Sequence, residues 1–392
     1  MKHFTPSQTP AEGLGVLTVF RLIEEAVSAF FEPGRPIHIA RAPGRLDVMG
    51  GLSGGLSPLL LALPTAEAAC VAIQLRDDDL VRLWSPCRDG SRTQMLTVQM
   101  ADLGLPATPV DYAEARAFLI ADPRDRWSGY LLGSLLVLAR EYALTPEHGV
   151  DLLLYSDVPN LCGVASSSAI TVACLRAFAL QYGLDLPATE FARLAQIVER
   201  EVLQANGRVA DAMAAVLAEP SELLALNGSV GDLVERIKVP ADLEFVGLET
   251  GTQTDPKKLE TADDGDARRT QRFHDLLKME ASAENRRELG DLMFESHGHY
   301  ACSGSSNDAC DLVVDVLKKR REAGGGVLGA KLTGRGGGGT VVLLGEPTKV
   351  WHEALRAKKA LNLATGHSGH VFRWSSPGAV SFGSVLLEPK DE

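Results

Sequence analysis

The sequence lacks the features that mark a membrane protein or a nucleic-acid-binding protein. It has no long basic run, and its net charge is −12, so neither nucleic acid nor an anionic membrane is expected as its main partner. The longest mainly apolar run, residues 130–139, is too short to span a bilayer, and residues 1–13 lack the apolar core of a signal peptide. These absences predict a cytoplasmic protein with no membrane partner.

Two familiar short motifs are also missing. The six cysteines form no CxxC pair and have no zinc-like spacing with histidine, which favours reduced thiols over a metal site. No Gly-Lys-Ser or Gly-Lys-Thr follows a glycine-rich turn, so a Walker A phosphate loop is excluded. A phosphate site in this chain must be built in another way.

The chain does contain enough apolar residues for a sizeable core. Hydrophobic residues make up 45% and charged residues 23% of the sequence, as in a globular protein. A length of 392 residues favours two domains. Strands are predicted at 37–42, 59–63, 69–75, 150–155 and 340–344, and helices at 127–142, 170–183, 189–205 and 308–322. Strands grouped between helices predict an α+β fold. Residues 251–266 are polar and predict a loop.

A Gly/Ser-rich turn opens directly into an apolar helical stretch within SDVPNLCGVASSSAITVACLRAFAL, residues 156–180. Such a junction presents free backbone N–H groups and the positive end of a helix dipole, which favour an anion such as phosphate. Ordinary capping of the helix explains the same residue types at this point. The candidate phosphate-binding residues are Gly163, Val164, Ala165, Ser166, Ser167 and Ser168.

Three blocks of the sequence carry a resemblance to a known family. They are RAPGRLDVMGG at 41–51, the serine loop, and GAKLTGRGGGGTVVLL at 329–344. In content and order they resemble the GHMP small-molecule kinases, and VEREVLQANGRVADAM and MFESHGHYACSGSS are most similar to the L-arabinokinase/galactokinase branch. The resemblance covers residues 37–344. It implies an N-terminal ATP-binding domain at 1–220, a C-terminal domain at 221–392, and an active site in the cleft between them.

The resemblance also implies a reaction and its cofactors. The family's members transfer the γ-phosphoryl group of ATP, with Mg²⁺, to a hydroxyl group, which in this branch is the anomeric hydroxyl of a sugar. Asp211 matches the catalytic aspartate and Arg45 the active-site arginine, which would stabilise charge on the transferred group. Taken without the motif, Asp211 is an ordinary aspartate at a helix N-terminus, and Arg45 is a surface arginine in a salt bridge.

The metal ligands implied by the resemblance are Ser167 and Glu199, because oxygen atoms suit Mg²⁺. Glu199 also fits a solvated glutamate on a helix. In the third block, Gly334, Gly336 and Gly337 would let the backbone approach the nucleotide closely. Arg335 stands where the family pattern prefers glycine, and we expect its side chain to point to solvent.

The acceptor side departs from the family pattern. The resemblance places Asp47, Gly51, Gly54 and Asp211 beside the acceptor, but an Asp-Tyr pair of the family is Gly54-Gly55 here. Because that aspartate grips sugar hydroxyls, its loss leaves the acceptor open. Thr171 likewise replaces a glutamate of the branch. Two alternatives therefore stay open: an inactive sugar or nucleotide sensor, and a kinase for a non-sugar alcohol.

Overall fold

The computed structural model describes residues 4–6, 15–26, 30–52, 57–87, 89–252 and 264–390. The strands are β1 (Phe4–Pro6), β2 (Ile37–Met49), β3 (Leu60–Leu75), β4 (Leu80–Trp84), β5 (Met95–Gln99), β6 (Val150–Ser156), β7 (Glu222–Leu226), β8 (Leu233–Lys238), β9 (Glu244–Glu249), β10 (Val327–Leu332), β11 (Thr340–Gly345), β12 (Val371–Phe372) and β13 (Val385–Pro389).

The helices lie between groups of these strands along the chain. They are α1 (Val16–Arg21), α2 (Tyr112–Leu119), α3 (Ser128–Tyr142), α4 (Ser166–Tyr182), α5 (Ala188–Ile197), α6 (Val209–Leu217), α7 (Asp264–Lys278), α8 (Ala283–Cys302), α9 (Asp308–Glu322), α10 (Lys349–Thr365) and α11 (Ala379–Phe382). Turns of π-helix at Leu22–Ala26 and Val198–Val202 extend α1 and α5, and a 3₁₀ turn lies at Met100–Leu103.

The strands form two sheets. The larger has nine strands in the order β1-β13-β2-β3-β6-β4-β5, with β7 added to β3 and β8 to β7, and the smaller has the order β10-β11-β9-β12. All pairings are antiparallel except that of β4 with β6. Mixed sheets and helices in these proportions confirm the predicted α+β class. Because β7, β8 and β13 lie in the larger sheet, the boundary at 220/221 stays a prediction.

The two central strands are longer than the sequence predicts. β2 runs without a break through Pro43-Gly44, a residue pair that predicts a turn, and β3 joins the two short strands predicted at 59–63 and 69–75. The expected turn is instead a pair of irregularities in the β2–β3 pairing, between Pro43 and Arg45 and between Asp47 and Met49. Such bulges bend a strand and redirect its side chains without ending it.

The helix that follows the serine loop lies at the centre of the molecule. Eleven of the residues of α4 are buried, on every face, because it packs against β2 and β3 on one side and α3, α5 and α6 on the others. A helix that is apolar all round is suited to such a place. A second core forms where α9 and α10 cover the smaller sheet.

Several expectations about the rest of the chain can be compared with the structure. Residues 253–263 of the loop predicted at 251–266 lie outside the described residues, and α7 already begins at Asp264. None of the six cysteines forms a disulfide. Among the described residues, no helix has both the length and the apolar character needed to cross a membrane.

Candidate active site

A cleft of about 1370 Å³ lies between the serine loop and the glycine-rich segment that joins β10 to β11. Arg45, Glu199 and Asp211 line it, and it extends to Trp127 and Tyr130. The guanidinium of Arg92 lies 4.8 Å from the centre of the Trp127 ring at that end. The sequence analysis did not find this aromatic end, because its residues come from separate loops and helices that carry no shared motif.

The serine loop has the geometry of an anion site. Gly163 (φ +77°) and Ala165 (φ +59°) adopt left-handed backbone conformations, and α4 begins at Ser166, four residues earlier than predicted. Because Ala165 has no side chain that could cap the helix, the first N–H groups of α4 stay free for a ligand. Ser166 and Ser167 line the cleft. Val164 is buried, and its carbonyl accepts a hydrogen bond from the Arg45 N–H at 3.0 Å.

The glycine-rich segment packs directly on the serine loop. A Cβ atom at Gly338 would lie 2.8 Å from the N and Cα atoms of Gly163, and one at Gly334 would lie 3.0 Å from the Gly163 carbonyl oxygen. Only glycine permits backbones to come this close. Gly336 and Gly337 lie against Ser305 and line the cleft together with Gly334.

Arg45 and Asp211 meet at the floor of the cleft. The Arg45 Nε and Nη2 atoms donate to Asp211 Oδ1 at 3.0 and 2.8 Å, and Arg45 Nη1 donates to the Gly163 carbonyl at 2.6 Å. The structure thus joins the first block, the serine loop and the predicted aspartate. Because both side chains are almost wholly buried, Arg45 is not the exposed salt-bridge residue of the alternative interpretation.

Asp47 and Arg208 complete this cluster. Asp47 lies two residues from Arg45 on the same face of β2, with its Oδ1 atom 2.9 Å from Arg45 Nε. Arg208 immediately precedes α6 and donates to Asp47 Oδ2 at 2.8 Å and to Asp211 Oδ2 at 3.1 Å. Arg208 was not among the residues predicted from the sequence, although it lies three residues before Asp211, a spacing that allows an ion pair on a helix.

Asp211 is held as a carboxylate. Burial alone would raise its pKa, but the charges of Arg208 and Arg45 and their hydrogen bonds keep the pKa well below its usual value. The alternative of a simple helix-terminal aspartate does not fit a carboxyl group that is buried and bound to two arginines. Asp211 is therefore ionised throughout the neutral range.

A buried lysine and tyrosine stand behind this cluster. Lys331 on β10 is fully buried, donates to the Leu332 carbonyl at 2.6 Å, and lies 5.0 Å from the centre of the Tyr300 ring. Burial lowers the pKa of Lys331 to about 8. The Tyr300 hydroxyl donates to the Gly334 carbonyl at 2.6 Å, and a Cβ at Gly51 would collide with that same carbonyl oxygen. Gly51 thus adjoins the site, whereas Gly54 and Gly55 lie outside the described residues.

The predicted metal ligands lie side by side. Glu199 is buried in the π-helical turn and accepts a hydrogen bond from Ser168 on Oε1 at 2.8 Å. Its Oε2 atom is buried without a hydrogen-bond partner among the described residues. Burial raises the pKa of Glu199 to about 7, so it is not the solvated glutamate of the alternative interpretation. An oxygen without a partner, beside Ser167 and Ser168, fits a hard cation such as Mg²⁺.

Three further side chains differ from or refine the expectations. Arg335 does not point to solvent: it lines the cleft and donates to the Asn206 carbonyl, because the close packing of the two loops turns its side chain inward. The Thr171 hydroxyl donates to the Ser167 carbonyl at 2.9 Å, which supports the serine loop. His297 accepts a hydrogen bond from the Leu332 N–H and contacts Asp311, so it connects α8 to β10 and α9.

Two family models match the chain in the expected order. The model described as the GHMP kinases N terminal domain matches residues 129–219, and the one described as GHMP kinases C terminal matches residues 276–361. The first contains the serine loop and Asp211, and the second contains the glycine-rich segment. The chain therefore carries both the N-terminal and the C-terminal domain of the GHMP kinases.

Curated relatives of this GHMP kinase include two sugar kinases. The L-arabinokinase of Arabidopsis thaliana is 26% identical over 93% of this chain and 48% of its own length. A galactokinase of Chloroflexus aggregans is 29% identical over 56% of this chain and 50% of its own length. The chain thus spans about half the length of the curated relatives that it matches.

Solved structures of other GHMP kinases share the fold. The galactokinase of Lactococcus lactis, complexed with galactose, superposes with a TM-score of 0.74 at 16% identity and covers 92% of this chain and 99% of its own. The mevalonate kinase of Methanococcus jannaschii gives a TM-score of 0.65 at 19% identity, with coverages of 86% and 98%. At these identities the likeness is one of fold.

Proposed function

We propose that this GHMP kinase transfers the γ-phosphoryl group of ATP to a sugar, at the anomeric hydroxyl, and so forms a sugar 1-phosphate. The observation that carries the proposal is the buried Arg45–Asp211 pair at the floor of a cleft between a helix N-terminus and a glycine-rich segment. The names of the two curated relatives support a sugar as the acceptor.

The proposed reaction uses the two ends of the cleft differently. The free N–H groups at the start of α4 would bind the phosphates, and the aromatic end at Trp127 and Tyr130 would hold the base. The acceptor oxygen forms a bond to the γ-phosphorus as the bond to the bridging oxygen breaks, and ADP leaves. Arg45 would stabilise the charge on the transferred group.

Asp211 has the task of receiving the acceptor hydroxyl. It would accept a hydrogen bond from that hydroxyl and orient the oxygen toward the phosphorus. Because the pKa of Asp211 is held low, it is a weak base, and its charge does more to orient the hydroxyl than to keep the proton. The proton passes through the carboxylate or directly to water when the oxygen–phosphorus bond has formed.

Glu199 and Ser167 are the residues that would hold Mg²⁺ together with the phosphates. The described residues contain no group of three or more His, Cys, Asp or Glu that could hold a metal, so these ligands would supply only part of its shell. A bound Mg²⁺ neutralises charge on the phosphate oxygens. Ser168 positions Glu199 by its hydrogen bond to Oε1.

The Gly54-Gly55 pair in place of the family's Asp-Tyr motivates both alternatives, but the described residues add no observation that favours either. A sensor without activity would have no need of Arg45, Glu199 and Asp211 together in one cleft. A non-sugar alcohol as acceptor draws support only from mevalonate kinases, whose likeness to this chain extends to the fold alone.

The proposal is tested by separating binding from turnover. Purified protein with ATP and Mg²⁺ is assayed for ADP release against a panel of pentoses, hexoses and polyols, and ATP binding is measured by calorimetry. We expect release with at least one sugar, and loss of release with retained ATP binding in Asp211→Asn. Tight ATP binding without release for any acceptor would favour the sensor and contradict the proposal.

A further inference from the structure

Four buried side chains in the cleft form a closed ring of alternating charge. Arg45 contacts Asp47 at 2.9 Å and Asp211 at 2.8 Å, and Arg208 contacts the same two carboxylates. None of the four side chains is more than 10% exposed. Arg45 and Asp47 come from β2 and the other pair from the start of α6, so the ring fastens the helix to the central strand.

The hydrogen bonds to Asp211 are distributed unevenly between its two oxygens. Oδ1 accepts from Nε and Nη2 of Arg45 and from Nη2 of Arg208, whereas Oδ2 accepts from Nε of Arg208 and from no other group of the described residues. A carboxylate offers about four lone-pair positions, two on each oxygen. Oδ1 is therefore fully used by the two arginines, and one position remains on Oδ2.

We propose that Arg208 is a positioning residue for phosphoryl transfer: it fixes the Asp211 carboxylate against Arg45 and leaves a single Oδ2 position for the acceptor hydroxyl. Asp47 holds Arg208 in place through Nη2. The inference rests on the proposed function, because it assigns Arg208 a part in the same reaction.

Arg208 has the larger influence on the charge of Asp211. Arg208 lowers the pKa of Asp211 more than Arg45 does, and both act against burial, which raises that pKa. Loss of the Arg208 charge should therefore let the pKa of Asp211 rise. The other charged or titratable groups that the described residues place around this part of the cleft include Asp47, Glu199, Asp266, Tyr300, Lys331 and Arg335.

A purely structural Arg208 would behave differently from a positioning one. If Arg208 only joined α6 to β2, its replacement would lower stability but leave the kinetics of the folded protein unchanged. A positioning role instead links Arg208 to the turnover number and to the pKa of the Asp211 carboxyl group, because turnover depends on an ionised and correctly oriented Asp211.

The test compares Arg208→Met, Arg208→Lys and a matched control, Arg82→Met. Arg82 also joins a buried aspartate, Asp151, through Nε at 2.6 Å, but it does not line the cleft. With the acceptor that the wild type phosphorylates, kcat and KM are measured for each substrate, and the pKa of the Asp211 carboxyl group is followed by carbon NMR.

For Arg208→Met we expect kcat to fall by about ten- to a hundredfold with little change in the KM for ATP, and the pKa of Asp211 to rise by about one unit or more. Arg208→Lys should return the pKa of Asp211 toward its wild-type position, because it restores the charge, but should recover kcat only in part, because it lacks the planar fork. An unchanged kcat or an unchanged Asp211 pKa in folded Arg208→Met, or an equal effect of Arg82→Met, overturns the inference.

Arg208→Lys also covers the case in which Arg208→Met does not fold. A folded Arg208→Lys with wild-type kcat would then show that the fork is unnecessary and overturn the inference, whereas a lowered kcat with an unchanged Asp211 pKa supports it.

Carbon NMR tests the inference independently of the proposed function. In protein labelled at the aspartate carboxyl carbons, the Asp211 signal is assigned as the one lost in Asp211→Asn. Its pKa should be higher in Arg208→Met than in the wild type whether or not any sugar is phosphorylated. A wild type that phosphorylates no sugar contradicts the proposed function, and an Asp211 pKa unaffected by Arg208→Met contradicts the inference.

Discussion

The close contact between the serine loop and the glycine-rich segment makes a direct prediction for Gly338→Ala. The added Cβ would lie 2.8 Å from the N and Cα atoms of Gly163 and 2.9 Å from the carbonyl carbon of Cys162. All three atoms belong to the backbone, so no side chain can rotate away. Carbon atoms in contact lie about 3.5–4.0 Å apart, so one of the two segments must move.

The cost of that movement can be placed within limits. Forcing one methyl group into a well-packed place costs about 1–3 kcal/mol, which corresponds to roughly a five- to a hundredfold change in an equilibrium constant. If the segments stay in place, the cost lowers the free energy of unfolding. If they separate, the free N–H groups of α4 and the glycine-rich segment no longer converge, and the affinity for nucleotide falls instead. We expect about a tenfold loss of ATP affinity.

The assay measures ATP affinity by calorimetry and unfolding by urea for the wild type and Gly338→Ala. Gly298→Ala is the matched control, because Gly298 lies within α8 with no atom within 4 Å of its added Cβ. That control should keep the wild-type affinity and gain up to about 1 kcal/mol of stability from the better helix propensity of alanine. A Gly338→Ala protein with wild-type affinity and stability would refute the close-packing argument.

Two further predictions concern buried charges. Glu199→Gln should weaken the apparent affinity for Mg²⁺ by about ten- to a hundredfold, the scale seen even for groups that only support a metal ligand. Glu201→Gln, which changes an exposed neighbour, should leave that affinity unchanged. A Mg²⁺ titration of turnover checks both variants, and equal effects would contradict the metal role of Glu199. Lys331 has its pKa lowered to about 8 by burial, so between pH 8 and its usual pKa of 10.5 the unfolded chain binds more protons and wild-type stability rises. The unfolding free energy of the wild type minus that of Lys331→Met should increase by up to about 3 kcal/mol over this range. A difference that stays flat in urea unfolding would show that Lys331 titrates normally.

Much of the cleft could be predicted from three blocks of sequence because each block carries its own local geometry. The glycines and serines of residues 163–168 predict a helix N-terminus from their residue types alone, whereas Asp211 was found through the resemblance to the family. The sequence could not place these blocks against each other. Their convergence depends on the pairing of β2 with β3 and on the packing of α4 across both strands.

The errors have physical causes that local patterns do not contain. Pro43-Gly44 predicts a turn, but the neighbouring strand β3 supplies enough pairing on both sides to carry β2 through a bulge. Lys331 and Arg208 look like surface residues in a sequence, since charged side chains are almost never fully buried without partners. Their partners are Asp47, the Leu332 carbonyl and Asp211. Asp47 is distant in sequence from both residues and becomes their neighbour in the fold.

The proposed function is that the cleft phosphorylates a sugar at its anomeric hydroxyl. The most direct measurement is ³¹P NMR of the products formed from ATP, Mg²⁺ and the sugars of the panel, with Asp211→Asn run in parallel. We expect a new phosphate-ester signal coupled to the anomeric proton of the sugar, and no such signal with Asp211→Asn. An ester at another hydroxyl would contradict the predicted position. If no sugar of the panel gave an ester, the proposed function would be contradicted.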